Sequence, residues 1–135
     1  MPAGYSPRSL LDKLGIKPGQ RIAILGAPAT YADTLGALPA GTTVVKRLTA
    51  PLDFIQLFVT ERRDLARRLP ALRRVLAPTG MLWVSWPKGG AKVPTDLSET
   101  VVREIGLGSG LVDVKVCAVD ATWSALKFVR RVRDR

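Results

Sequence analysis

The alternation of short apolar runs with helical segments constrains the fold of this chain more than any other feature. Residues 21–25, 42–48, 53–59 and 80–86 are rich in apolar and β-branched residues and are bounded by glycine, proline or polar residues. Such runs are typical of strands buried in a sheet. Helical segments follow three of the four runs. This order predicts a mostly parallel sheet that is covered by helices on both faces and has right-handed connections.

The last third of the chain predicts a different strand pairing. Val112, Val114, Val116 and Ala118 alternate with Asp113, Lys115, Cys117 and Val119, which predicts a strand with two unequal faces. A short turn at 120–122 and an apolar run at 123–132 then indicate an antiparallel hairpin at the sheet edge. The predicted fold class is α/β: one Rossmann-like domain over residues 1–135, in three αβα layers, whose mostly parallel sheet ends in a C-terminal antiparallel hairpin.

Capping residues and proline predict where the helices begin and end. Ser6–Pro7 or Ser9 is expected to cap a short leucine-rich helix that Gly15 ends. Pro70 is expected to begin a separate helical segment, because the first helical position does not use the donor that proline lacks. Asp96 has a glutamate three residues later. This capping-box pattern predicts that another helix begins there.

Composition excludes several classes of protein. The chain has no histidine and one cysteine, Cys117. These counts exclude an intrachain disulfide, a Cys/His metal centre and a histidine general base. The apolar runs are far shorter than the roughly 18 residues of a membrane span, and the first residues lack the pattern of a signal peptide. We therefore expect a cytoplasmic protein with no membrane partner and no metal site.

The net charge of +10 raises the question of nucleic acid. Lysine and arginine bind phosphates and release counterions. Six arginines, however, fall in one predicted helical region, where leucines and valine supply the apolar face; they are Arg62, Arg63, Arg67, Arg68, Arg73 and Arg74. Arginines on the opposite face of such a helix are ordinary solvated residues, and no aromatic residue lies there to stack on a base. Nucleic acid is therefore a disfavoured partner.

Four stretches of the chain carry a resemblance to a known bacterial family. They are residues 14–19, 52–59, 80–88 and 110–129. In these stretches the chain resembles the family catalogued as domain of unknown function 3052, and the match covers nearly the whole chain. The order of elements also resembles a shortened class I methyltransferase. The resemblance implies a methyltransferase-like fold, and it implies no particular reaction because the family has no assigned activity.

The loop after the first strand argues against the usual adenosylmethionine site. A turn that binds such a cofactor uses glycines, so that backbone donors can approach the ligand. Here Gly26 is followed by Pro28 and Tyr31 where further glycines would fall, and Lys46–Arg47 stands where a ribose-binding acid is expected. Proline removes a donor and tyrosine adds bulk. We do not expect the usual adenosylmethionine mode, and the sequence assigns no other cofactor.

Topology gathers the candidate site residues at one edge of the sheet. Ligands of open α/β sheets bind outside the carboxyl ends of the strands. The ligand-binding candidates at that edge are Gly26, Pro28, Lys46, Trp86, Lys88, Asp120 and Trp123. Indoles stack on rings and ammonium groups pair with phosphates or carboxylates, so the expected ligand is small and anionic or aromatic. The alternative is structural: the tryptophans cover the sheet edge and Asp120 stabilises its own turn.

Three further features bear on the reactivity and the mobility of the predicted site. Lys127 lies among apolar residues, and a desolvated lysine can react as a nucleophile or base, although a side chain extending toward water is favoured. Cys117 is expected to fill space rather than react, because no histidine or clear cation accompanies it. Gly89–Gly90 is expected to form a mobile margin of the site. No catalytic residue is assigned.

Three classes of function fit these observations. A noncatalytic module that binds a small ligand or a protein partner fits the missing catalytic motif and the cationic edge, and it is the function we expect. A divergent, methyltransferase-like group-transfer enzyme fits the predicted fold. A basic accessory protein for nucleic acid fits the charge and has the least support, because no reader motif accompanies it. The sequence names no particular protein partner.

Overall fold

Six strands form one mixed sheet in the computed structural model, which describes residues 9–135. The strands are β1 (Arg21–Leu25), β2 (Thr43–Val44), β3 (Leu52–Phe58), β4 (Leu76–Pro87), β5 (Leu111–Ala118) and β6 (Trp123–Arg130). Their order across the sheet is β2-β1-β3-β4-β6-β5. The first four strands are mutually parallel, whereas β6 runs antiparallel to both of its neighbours. The predicted mostly parallel sheet with a C-terminal antiparallel hairpin is confirmed.

Helices cover both faces of the sheet. α1 (Leu10–Leu14) and α2 (Tyr31–Leu35) pack on one face, α3 (Arg62–Val75) and α4 (Glu99–Gly108) pack on the other, and a short 3-10 turn at Val132–Asp134 follows β6. Each face has its own buried apolar cluster. The predicted three layers are therefore confirmed. Within residues 9–135, no helix is both long enough and apolar enough to cross a membrane.

β1, β3 and β4 end at one common edge, and β6 begins there because it runs the other way. Gly26, the first residue after β1, has a φ of 70°. A Cβ atom on this residue would lie 2.8 Å from the carbonyl oxygen of Phe58 at the end of β3. Only glycine combines this backbone angle with so close an approach. Gly26 thereby holds the loop between β1 and α2 against the sheet.

The second strand is shorter than predicted. β2 pairs with β1 only at Thr43 and Val44, rather than over 42–48. It lies at the sheet edge with one neighbour, and the chain then bends through the exposed Lys46 and Arg47. Both paired residues of β2 are exposed, so little burial of apolar surface supports a longer pairing.

The fourth strand is longer than predicted. β4 begins at Leu76 rather than at Gly80. Its register against β3 shifts between Leu52 and Phe54, so both the early and the late part of β4 can pair with the same neighbour. Such a shift depends on a strand that is distant in sequence, and the local pattern around Gly80 did not indicate it.

The predicted ends of α1 are confirmed for the described residues. The Ser9 hydroxyl accepts a hydrogen bond from the Asp12 N–H at 3.1 Å, and Gly15 ends the helix with a φ of 81°. This is the left-handed conformation in which glycine is favoured at a helix end. The other predicted cap, Ser6–Pro7, lies outside the described residues.

The prediction that Pro70 begins a separate helix is wrong. α3 runs through Pro70 without a break. Leu65, Leu69 and Leu72 are buried along one face on both sides of the proline. Their burial stabilises the helix by more than the missing proline hydrogen bond costs.

The prediction that Asp96 begins α4 is also wrong. Ser98 caps the helix, because its side chain accepts a hydrogen bond from the Val101 N–H at 3.3 Å. Asp96 Oδ1 instead accepts a hydrogen bond from the Arg62 N–H at 2.7 Å. That N–H lies at the start of α3, where a helix has donors without intrahelical partners. The Asp96 carboxylate therefore caps a helix distant in sequence.

A bulge interrupts the hairpin. Asp113 lies opposite Phe128, whereas Lys115 lies opposite Lys127, so two residues advance on β5 while one advances on β6. Val114 is the extra residue. Because paired residues share a face, Asp113 points to the α3 and α4 side with Phe128, and Lys115 points to the α1 and α2 side.

The bulge overturns the predicted faces of β5. Val112 lies on the α1 side and Val116 on the α4 side, rather than together, and both are more than a third exposed. Cys117, expected on a polar face, packs against the apolar cluster beneath α1 and α2. A residue inserted into one strand reverses the faces of every later residue, which a regular alternation in sequence does not reveal.

Candidate functional site

A pocket of about 340 Å³ opens at the carboxyl end of β1. β1, the following loop, α2 and the exposed β2 form its walls. The lining residues are Ile24, Ala27, Pro28, Ala29, Tyr31, Ala32, Leu35, Gly36, Leu38 and Val44. We call this space the β1 pocket. None of these side chains is charged, so the pocket suits the apolar or aromatic part of a ligand.

The one polar side chain in the lining is already hydrogen-bonded. The Tyr31 hydroxyl donates to Gln56 Oε1 at 2.5 Å, and Gln56 Nε2 donates to Ser85 Oγ at 3.1 Å. All three side chains are buried. Burial raises the pKa of Tyr31 above its ordinary value, although the bond to Gln56 acts in the opposite direction. The hydroxyl is therefore neutral at physiological pH and holds the ring in place.

A row of three aromatic rings fills the sheet edge beside the β1 pocket. The rings of Tyr31 and Phe58 pack edge to face with centroids 4.7 Å apart, and those of Phe58 and Trp123 do so at 5.1 Å. This is a favourable geometry for aromatic pairs. Phe58 is the last residue of β3 and Trp123 is the first of β6, so the row lies along this edge of the sheet. No lining residue of the β1 pocket comes from β3, β4 or β6.

The turn after β4 uses its polar groups in hydrogen bonds within the chain. Lys88 Nζ donates to the Asp120 carbonyl oxygen at 2.7 Å. Asp120 Oδ1 accepts from the N–H groups of Thr122 and Trp123, both at 2.8 Å. The structure thus brings Lys88 and Asp120 together, but the ammonium group contacts the carbonyl rather than the carboxylate. This is the arrangement of an aspartate that stabilises its own turn.

The structure separates the two tryptophans of the predicted site. Trp86 is 5% exposed and packs in the cluster beneath α3 and α4, whereas Trp123 packs against the cluster beneath α1 and α2. Trp123 pairs across strands with Pro87, the neighbour of Trp86, so the indoles lie on opposite faces. The four candidates at this turn therefore do not surround one pocket, and a ligand-binding role for them stays a prediction.

The remaining ligand candidates lie at the β1 pocket. Pro28 lines it, and Gly26 holds the loop against β3. Lys46 is exposed and follows Val44, a lining residue, by two positions. Gly89–Gly90 is exposed in the turn after β4, away from these residues.

Neither of the two reactive candidates lines the β1 pocket. Lys127 is partly buried on β6; burial lowers its pKa, and the nearby Lys115 lowers it further. Burial raises the pKa of the Cys117 thiol, despite opposing effects of Lys115 and Lys13. A thiol with a raised pKa is a poor nucleophile. Among residues 9–135, no group of three or more Asp, Glu, His or Cys side chains could hold a metal ion.

The groups lining the β1 pocket do not fit adenosylmethionine in its usual mode. That molecule carries a sulfonium, an ammonium and a carboxylate, which need polar partners when buried. The lining offers no charged side chain, and its one hydroxyl donates to Gln56. Pro28 has no N–H, and its carbonyl oxygen accepts the Tyr31 N–H at 2.9 Å, which removes another loop donor.

Comparison with solved structures identifies the architecture. The chain is similar to a SAM-dependent methyltransferase from Aquifex aeolicus, with 17% identity, 88% of this chain and 86% of that chain covered, and a TM-score of 0.63. It is similar to precorrin-6y C5,15-methyltransferase from Geobacter metallireducens, with 12% identity, 90% and 86% coverage, and a TM-score of 0.62. The chain has a methyltransferase-like fold.

A third similar structure is magnesium protoporphyrin IX methyltransferase from Synechocystis PCC 6803, with 13% identity, 90% of this chain and 78% of that chain covered, and a TM-score of 0.59. No family model matches the sequence, and no curated protein matches it. The similarity therefore extends to the methyltransferase-like fold, and the chemistry of this chain rests on its own side chains.

Sequence reasoning missed most of the walls of the β1 pocket. Leu35 follows Tyr31 by four residues and Ala32 by three, and residues so spaced lie on neighbouring positions of one helix surface; Pro28 precedes the same pair by three and four residues. That spacing is the signal that could have identified this wall. The contribution of Val44 had no such signal, because it depends on where the short β2 ends.

Proposed function

We propose that this chain is a noncatalytic binding module whose β1 pocket holds the apolar or aromatic body of a small anionic ligand. The uncharged lining of the pocket is the observation that supports this most. A ring buried there would gain about 25 cal/mol for each Å² of apolar surface removed from water. No charged side chain would lose its solvent in the process.

Lys46 and Arg47 would hold the anionic end of the ligand. Both are exposed and begin two residues after β2, whose Val44 lines the pocket. Among residues 9–135, the structure pairs neither side chain with a carboxylate. A phosphate or carboxylate could therefore form charge-assisted hydrogen bonds with them without displacing an existing partner.

The noncatalytic part of the proposal rests on the surroundings of the pocket. A transfer reaction needs a donor and an acceptor held in contact. The aromatic row of Tyr31, Phe58 and Trp123 fills the edge where a second substrate would approach from β3. The lining also lacks a general base, because its one titratable side chain is a buried tyrosine with a raised pKa.

Calorimetry with a panel of ligands tests the proposal. The panel contains adenosine, adenosine monophosphate, acetyl coenzyme A, adenosylmethionine and its demethylated product. We expect saturable binding of the aromatic anions. Ala32→Phe should abolish this binding, because Ala32 is exposed on α2 and lines the pocket, so that a phenyl ring would fill the space. Ala37→Phe is the matched control, since Ala37 is exposed and lies outside the lining.

A second variant tests the anionic end. Lys46→Gln should weaken adenosine monophosphate roughly tenfold, which is the loss expected for one charge-assisted hydrogen bond. Binding of adenosine, which lacks the phosphate, should not change. Lys92→Gln, an exposed lysine elsewhere in the chain, controls for net charge. Binding that survives Ala32→Phe, or no binding of any aromatic anion, would contradict the proposal.

A divergent group-transfer enzyme is the second candidate function, and the similarity of the fold to methyltransferases favours it. In that case adenosylmethionine would bind saturably at micromolar concentration, and Ala32→Phe would abolish its binding. We expect neither result. This arm of the calorimetry therefore separates the two candidates without an activity assay.

Membership of the domain of unknown function 3052 family belongs to the same proposal, together with a bacterial and cytoplasmic origin. It rests on the resemblance in residues 14–19, 52–59, 80–88 and 110–129. A family alignment built from bacterial genomes would test it. The four stretches should align without gaps inside β3 and β4; misaligned strands would count against membership.

A further inference from the structure

Two lysines face each other at the end of the sheet remote from the β1 pocket. Lys115 of β5 lies directly opposite Lys127 of β6, where Cβ atoms are about 5 Å apart in an antiparallel pair. Lys127 in turn lies opposite Trp83 of β4. Lys115 Nζ is 6.0 Å from the centroid of the Trp83 ring. Like charges in directly opposed positions repel, so this pair opposes folding.

The bulge in β5 creates this pair. Asp113, before the bulge, faces α4 and forms an ion pair with Arg103 at 2.9 Å. Without the extra residue, Lys115 would share that face and have the Asp113 carboxylate beside it. The bulge instead turns Lys115 onto the face of Trp83, where it meets a second cation. Bulges often re-aim a side chain in this way near binding sites.

α1 supplies a third ammonium group to the same face. α1, which carries Lys13, packs on the face of the sheet that Lys115 shares with Trp83, and the charges of both lysines lower the pKa of the Cys117 thiol. The residue after Lys13, Leu14, accepts a hydrogen bond from Trp83 Nε1 at 2.9 Å, which fixes α1 here. In the part of the chain that the structure describes, none of the three ammonium groups pairs with a carboxylate.

We infer that Lys13, Lys115 and Lys127 form a site for the phosphate groups of a small ligand, separate from the β1 pocket. A phosphate dianion would replace repulsion among the lysines by charge-assisted hydrogen bonds. Lys13 and Lys127 are partly buried, and partial burial strengthens such bonds because water screens them less. We call this the lysine site.

Titration of the full chain with inorganic pyrophosphate tests the lysine site. At about 0.15 M salt, where exposed charges beyond about 8 Å are screened, we expect saturable binding by calorimetry. Lys127→Gln should weaken it roughly tenfold, and Lys127→Arg should restore most of the affinity. Lys92→Gln changes the net charge equally at an exposed position elsewhere and should leave the affinity unchanged.

A second readout needs no ligand. Lys127→Gln should raise the Tm of the free protein, because it removes the repulsion with Lys115. A lowered Tm would contradict the opposed charges on which the site is built. Lys46→Gln should leave pyrophosphate binding intact; its loss would place pyrophosphate at the anionic end of the β1 pocket and overturn a separate lysine site.

Three further outcomes would overturn the inference. If Lys92→Gln and Lys127→Gln weaken pyrophosphate binding equally, that binding reflects general attraction to a basic chain. A short DNA duplex that binds through Lys127, while pyrophosphate does not bind, would assign this face to nucleic acid rather than to a small phosphate ligand. Absence of pyrophosphate binding to the unaltered chain would also end the proposal.

Discussion

Two positions along the same sheet edge differ in the space and the polar groups that they offer to a ligand. At the end of β1, the loop and α2 surround an uncharged pocket of about 340 Å³. At the end of β4, the ammonium group of Lys88 and the carboxylate of Asp120 are already hydrogen-bonded within the turn. The sequence at the end of β4 is the more conspicuous of the two, but the pocket lies at the end of β1.

The difference teaches that topology and side-chain chemistry locate a site by different means. Parallel strands bring several loops to one edge, and any of those loops can hold a ligand. Whether a given loop does so depends on whether its polar groups have partners already. Lys88 illustrates this: among residues 9–135 it forms no ion pair with a carboxylate, but its ammonium group already donates to the Asp120 carbonyl.

The largest expected effect concerns the loop at the β1 end. Gly26→Ala should lower the free energy of unfolding by about 3 kcal/mol, because it combines left-handed strain with a clash against the Phe58 carbonyl. Gly19→Ala is the matched control, since its φ is 78° and nothing lies within 4 Å of a Cβ atom there. It should cost about 1 kcal/mol. Urea unfolding measures both, and equal losses would contradict the close approach at β3.

The next effect concerns the buried hydrogen bonds beneath the β1 pocket. Gln56→Met should cost about 2 kcal/mol, because it leaves the hydroxyls of Tyr31 and Ser85 without their partner. Tyr31→Phe should cost about 1 kcal/mol, because only one Gln56 atom loses a bond. The same unfolding measurement checks this order, and a greater loss for Tyr31→Phe would show that the amide is not the centre of the network.

Alkaline pH should weaken the β1 end. Burial raises the pKa of Tyr31, so the folded chain keeps this proton after the unfolded chain has lost it. The resulting stability is fully present below about pH 10, the ordinary tyrosine pKa, and falls above it by at most about 1.4 kcal/mol per pH unit. Tyr31→Phe should remove this part of the decline. Parallel decline of both proteins between about pH 10 and pH 11 would contradict it.

The smallest effects are expected at the β4 end. Lys88→Met and Asp120→Ala should each cost about 1 kcal/mol or less, because each removes hydrogen bonds from a partly exposed turn. Neither should change the affinity for adenosine monophosphate. A roughly tenfold loss of affinity in either variant would move the ligand from the β1 pocket to this turn.

The sequence predicted the layers and the strand pairing well because apolar periodicity reports burial. The buried residues of β3 and β4 show this, as does the Ser9 cap of α1. Predictions failed where contacts distant in sequence decide. Asp96 caps α3 instead of α4, burial of leucines carries α3 through Pro70, and the bulge in β5 reverses the faces of the strand.

Predictions of the candidate site succeeded and failed for the same reasons as predictions of the fold. Topology placed Pro28 and Lys46 at the edge where the pocket lies. The face on which Trp86 and Trp123 point depends on strand register, and a sequence pattern does not fix the register of two strands that are distant along the chain. The sequence pattern did not predict the lysine site for a related reason. Lys115 lies opposite Lys127 only because the bulge shifts the register of β5.

The most direct test of the contrast between the two positions is an NMR titration of the isotope-labelled chain with adenosine monophosphate. Ala27, Ala32 and Val44 line the β1 pocket. Their amide resonances should shift until binding is saturated. Those of Lys88 and Thr122, whose backbone groups are hydrogen-bonded in the closed turn, should stay in place. Shifts confined to Lys88 and Thr122, with the pocket resonances unmoved, would contradict the account.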